Sequence, residues 1–161
     1  MTQEDKRYLQ DKLCHERDKE LLLKDLCARL PYGVKAYMKK WSKLDQKYYE
    51  GVYTIESVHP SLNDIYGSTE NGSVEVILGY SDYDIKPYLF PLSSMTEEQK
   101  EDMFKCCYNA EREASKFSNG KLKLIYDYEI VKIDFYNKHH IDYRGLIKKG
   151  LAIDATDKNI Y

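Results

Sequence analysis

Between Leu21 and Leu30 the apolar residues fall into helical register. Leu23, Leu26, Cys27 and Leu30 form a stripe that Leu22 widens, which predicts a helix packed on a core. Carried backwards at heptad spacing, the stripe meets Glu20 and Glu16 before Leu13 and Leu9, so a coiled coil is not expected. Residues 1–18 therefore read as a charged helical extension, with Tyr8, Leu9 and Leu13 its sizeable apolar side chains, in front of one α+β domain over 19–161.

Pro31-Tyr32-Gly33 ends the helix. Val34, Ala36 and Met38 then alternate with Lys35, Tyr37 and Lys39, the period of a half-buried strand. Lys47 to Val58 is rich in Tyr, Val, Ile and Thr and reads as its partner, with Gly51 marking a bulge. Ile65-Tyr66 predicts a short strand. After the Asn71-Gly72 turn signal, Val74, Val76, Leu78 and Tyr80 share one face of another. Ile85 to Leu92 is apolar but carries Pro87 and Pro91, so it is expected to cross the sheet edge as extended chain rather than to be a central strand.

Thr96-Glu97-Glu98-Gln99 is a capping box, and the helix it opens carries Met103, Cys107, Ala110, Ala114 and Phe117 as a buried stripe until Asn119-Gly120 stops it. Leu122, Leu124, Tyr126 and Tyr128 alternate as a strand. From Glu129 to about His140 the spacing suits a helix, with continued strand as the alternative. The apolar tail from Asp142 to Ile153 is expected to pack back on the domain. The element order implies an α+β fold with a small, mostly antiparallel sheet, in one form an SH3-like half-barrel over 34–92, flanked by helices.

Composition narrows the classes. The 161 residues suit one domain, and a net charge of −2 gives no global field toward nucleic acid or anionic lipid. No apolar run approaches the ~20 residues of a spanning helix, and the first residues lack a signal peptide's apolar core, so a cytoplasmic, non-membrane protein is expected. Four cysteines without a C-x-x-C pair read as buried or half-buried thiols, and no cofactor or metal is expected. Sixteen tyrosines against one Trp and four Phe lean toward a binding surface.

Three stretches, Leu21 to Val34, Ile85 to Glu98, and Asp142 to Ile147 running on to Gly150 to Ile153, resemble a family of small proteins from Bacteroides-type gut bacteria and their phages and mobile elements. The resemblance implies a phage or mobile-element accessory protein. It carries no catalytic residue across and implies no particular activity.

The most enzyme-like cluster is Lys138 to Arg144: His139 or His140 as base, Asp142 as its orienter, Arg144 as an anion clamp. Against it, neighbouring helical residues diverge by about 100°, and a polar helix end with cationic side chains near its C-terminus explains the same residues. A metal held by His59, His139, His140 and Asp142 lacks any fixed ligand spacing. Lys35, Tyr37, Lys39 and Trp41, in a basic and aromatic run reaching Lys43, read as a nucleic-acid stripe or as an ordinary solvated strand face. The favoured expectation is a non-enzymatic binding protein acting on a host protein or small ligand, with homo-oligomers formed through the N-terminal helix as one form. A small hydrolase or nuclease at His139–Arg144 and a nucleic-acid or nucleotide module at Lys35–Lys43 are the alternatives.

Overall fold

The computed structural model describes the chain except residues 1, 43–45, 60–63, 71–73, 78–82 and 118–120, and except the side chains of 40–42, 64, 74–77, 83–84, 114–117 and 121–127. Among the described residues three α-helices and seven strands follow in the order α1 (Gln3–Arg29), β1 (Lys35–Ser42), β2 (Lys47–His59), β3 (Asp64–Ser68), β4 (Val74–Ile77), β5 (Tyr83–Pro91), α2 (Glu97–Phe117), α3 (Lys121–Lys138), β6 (Ile141–Asp142) and β7 (Ile153–Asp154). The fold is α+β. Its sheet runs β4-β3-β2-β1-β5-β6, with β7 also on β5. The ladders from β4 to β5 are antiparallel, and the two short strands pair with β5 in parallel, so the sheet is mixed. Among the described residues no helix is long and apolar enough to cross a membrane.

The alternation in β1 places Val34, Ala36 and Met38 inward, beneath Leu22 and Leu26 of α1 and beside Tyr53, Ile55, Ile85 and Leu89. Gly51 pairs in regular register with Met38 and is no bulge. The irregularity lies between Ile55 and Ser57, beside Gly67. A Cβ at Gly67 would lie 3.0 Å from the Thr54 carbonyl and 3.2 Å from the Tyr53 Cβ, so the strands approach closely there and a larger residue would have to push β2 aside by a few tenths of an ångström.

Two element assignments differ from expectation. Ile85 to Pro91 is a full strand, not a crossing of the sheet edge. Val34 offers its carbonyl to Ile55 on β2, so Ala36 also turns its main-chain groups toward β2. Its partner Pro87 then faces away from β1, and a missing N–H costs that ladder nothing. The supposed strand at 122–128 is the first half of α3, and 129–138 continues that helix. Tyr128, Val131 and Phe135, three and four residues apart, pack with Met103 and Cys107 of α2, and an antiparallel helix pair replaces the strand.

The capping box at Thr96 is present, with Gln99 N–H donating to the Thr96 hydroxyl (3.1 Å) and Thr96 N–H to the Gln99 side-chain oxygen (3.0 Å). Met103 and Cys107 are buried and Ala110 is half-buried, while the Ala114 and Phe117 side chains lie outside the described ones. Cys14, Cys27 and Cys106 are exposed, against the expectation of buried or half-buried thiols. The tail packs back on the body, with Leu146 and Ala152 in the main core.

Candidate functional site

In the body-facing half of α1 the buried positions are Leu22, Asp25, Leu26 and Arg29, so the core face is rotated from the expected stripe and Cys27 is exposed. Asp25 and Arg29 are both fully buried. One turn apart, they form a two-pronged pair, Arg29 Nε to Asp25 Oδ2 at 2.7 Å and Nη2 to Oδ1 at 3.1 Å. The guanidinium also donates to the carbonyls of Tyr136 (3.2 Å) and Ile141 (2.8 Å). A cation from α1 thus satisfies one main-chain oxygen in the last turn of α3, where the helix dipole favours positive charge, and one on β6 just beyond it. Arg144 Nε sits 3.2 Å from Asp25 Oδ1, and the Tyr143 ring lies against both guanidinium groups and stacks on Tyr136. The cluster rivets α1, α3 and the β6 turn together.

The sequence-selected quartet is divided by this arrangement. His140 is buried, takes a left-handed backbone (φ 53°), and stacks on Tyr161 with ring centroids 4.0 Å apart. Burial first, then the nearby charges of Arg29 and His139, push its pKa down to about 4. A neutral, enclosed imidazole of that basicity is a poor general base near neutrality. His139 turns the other way, against Phe135 (4.2 Å) and into an open groove of about 490 Å³ with Asp102, Cys106 and Lys138; burial lowers its pKa as well. Asp142 spends one oxygen on Leu146 N–H and the other on Ile147 N–H, both at 2.8 Å, and Arg144 is held by Asp25. These four side chains serve one turn and two different surroundings, with no shared cleft. His59 ends β2, edge-on to Tyr66, and among the described residues no cluster of His, Cys, Asp and Glu is placed to hold a metal ion.

On β1 Lys35 and Lys39 of the basic stripe each lie near an acid of the same chain. Lys35 pairs with Glu70 (3.7 Å), while Lys39 approaches Glu50 (3.8 Å) and covers the Tyr48 ring; Tyr37 donates to Glu50 at 2.7 Å. These acids set negative charge beside the stripe, which weakens its attraction for phosphate. Trp41 stands opposite Tyr48 in the ladder, its side chain outside the described ones, as is all of Lys43.

Tyr8, Leu9 and Leu13 all stand exposed on open helix. A capping box at Thr2 starts α1, with Asp5 N–H donating to the Thr2 hydroxyl (3.1 Å) and Thr2 N–H to the Asp5 carboxylate (2.7 Å). Every residue from Thr2 to Arg17 is exposed, with Tyr8 at 68%, Leu9 at 46% and Leu13 at 54%. Burial resumes at Asp18, which Lys149 holds at 3.1 Å. One unbroken helix therefore offers an open front half and a riveted rear half. The reading of the sequence missed Asp25, Arg29 and Tyr161. The signal for the pair was an opposite-charge couple one turn apart on the face shared with Leu22 and Leu26. Comparison with protein-family models, with curated proteins and with solved structures finds no match to this chain.

Proposed function

We propose that this chain is a binding protein that presents the front half of α1 to a protein partner from a rigid α+β body. The observation that carries the reading is the division of α1: full exposure over 2–17, with Leu9 and Leu13 uncovered, against a rear half locked by the buried Asp25–Arg29 pair. Isolated helices of this length are marginal in water, so anchoring the rear half favours helix in the front and lowers the ordering cost of binding. The alternative hydrolase is disfavoured by the division of the His139–Arg144 residues, and the nucleic-acid module by the acids already paired with Lys35 and Lys39. The resemblance to proteins of gut-bacterial phages and mobile elements supports an accessory role in that setting.

The test compares the full chain, a chain beginning at Asp18, and the variant Leu9→Asp/Leu13→Asp. The shortened and substituted chains are expected to melt as the full chain does and to lose partner capture from a Bacteroides-type lysate. Retained capture would move the docking surface elsewhere. Turnover in a phosphodiesterase or esterase screen that disappears with His140→Gln would restore the enzyme reading.

A further inference from the structure

We infer that the front half of α1 pairs with the same segment of a second copy of this chain, antiparallel, with Leu9 against the partner's Leu13. This rests on the reading of α1 as the docking element and names its occupant.

Direction comes first. At about 100° per residue, Leu13 lies roughly 180° from Leu22, and Leu9 about 160° from Asp25. The two leucines therefore stand on the side of α1 opposite its core-facing residues, and a second helix can lie on them without meeting the body. Tyr8 sits about 100° round from Leu9, outside this seam.

Charge then selects the orientation. Continued at alternating steps of three and four, the Leu9–Leu13 seam takes in Lys6 before it and Glu16 after it. With Leu9 on the partner's Leu13 in antiparallel register, Lys6 meets the partner's Glu16, and the two-fold axis repeats the pair at the other end. Both flanks of the leucine core are then closed by opposite charges. A parallel, in-register pair would instead set Lys6 on Lys6 and Glu16 on Glu16. Glu4 and Asp18 point away from the seam.

Length agrees as well. This register maps 4–18 onto itself, a stretch of about 22 Å, and burial of α1 against its own body resumes at Asp18. Each helix tip therefore reaches the point where the other's body begins, and the two bodies fall at opposite ends. The apolar contact is small, and Lys12 flanks the axis near its own copy, so the dimer is a weak, concentration-dependent one.

The experiment is sedimentation equilibrium on the full chain from micromolar to millimolar concentration, with Lys6→Glu, Glu16→Lys and the double variant. Wild type is expected to self-associate. Each single variant turns two attractive pairs into like-charge ones and should weaken association about tenfold, and the double variant should restore it. Leu13→Asp should be monomeric, with thermal melts confirming that every variant is folded. A wild-type chain monomeric throughout, single variants that associate like wild type, or a double variant that stays apart would each overturn the pairing. A monomeric wild type that captures another protein through Leu9 and Leu13 would end the self-pairing alone; absence of capture as well would end the docking reading with it.

Discussion

His140 and Tyr161 stack ring on ring, their centroids 4.0 Å apart and their planes 11° from parallel. The stack closes over an imidazole that is neutral because it is buried beside Arg29. His140 titrates at about 4 in the folded chain against an ordinary 6.5, so between those values the unfolded chain binds more protons. Its contribution to stability is complete above pH 6.5 and is lost as pH falls toward 4. Melting temperature should therefore drop across that window, and His140→Gln should flatten the drop. An unchanged acid slope in the variant would assign it to other groups.

Tyr161 does more than cover the histidine. Its hydroxyl accepts from Lys35 N–H (3.1 Å) and donates to the Tyr88 carbonyl (2.8 Å), filling the place where β1 and β5 separate. Burial pushes its pKa up to about 12, so the donor is retained through neutral and moderately alkaline pH. Tyr161→Phe keeps the ring and strands both main-chain groups. Urea denaturation should show a loss of ~1–3 kcal/mol; a variant as stable as wild type would mean that water replaces the hydroxyl.

The Asp25–Arg29 pair predicts an asymmetric mutant cycle. Asp25→Leu leaves a buried guanidinium without its carboxylate and should cost ~3–5 kcal/mol. Adding Arg29→Met removes that charge and should recover part of the loss. Recovery stays incomplete because the Tyr136 and Ile141 carbonyls lose their donor and Arg144 loses its acid. Additive losses from chemical denaturation of the two single variants and the double would show that the two side chains act independently.

Cys106 and Cys107 are adjacent but face different surroundings. Cys106 is exposed beside the His139 groove, and Cys107 is buried against Met103 and Phe135, with burial raising its thiol pKa. Brief iodoacetamide treatment of the folded chain, read by peptide mass spectrometry, should modify Cys106 and spare Cys107 until the chain is unfolded. Equal labelling would place Cys107 outside the core.

What could be read along the chain was local. The alternation from Val34 to Met38 shows which face of β1 is apolar, and Thr96 with Gln99 shows where α2 begins, because each pattern is set by neighbours within a turn or a pleat. The exposed leucines of α1 were legible for the same reason, since no apolar stripe connects them to Leu22 and Leu26.

Other features were decided by distant chain. Pro87 is compatible with a paired strand because its register with Ala36 turns the missing N–H away from β1, and register is invisible in an isolated segment. Leu122 to Tyr128 alternate like a strand, yet α2 supplies the apolar surface against which the rest of the same segment packs as helix. The contrast is clearest in Arg29. Its spacing to Asp25 is written in the sequence, but its burial depends on carbonyls 107 and 112 residues away. A guanidinium can leave water only where such acceptors converge, and their convergence is a property of the folded chain.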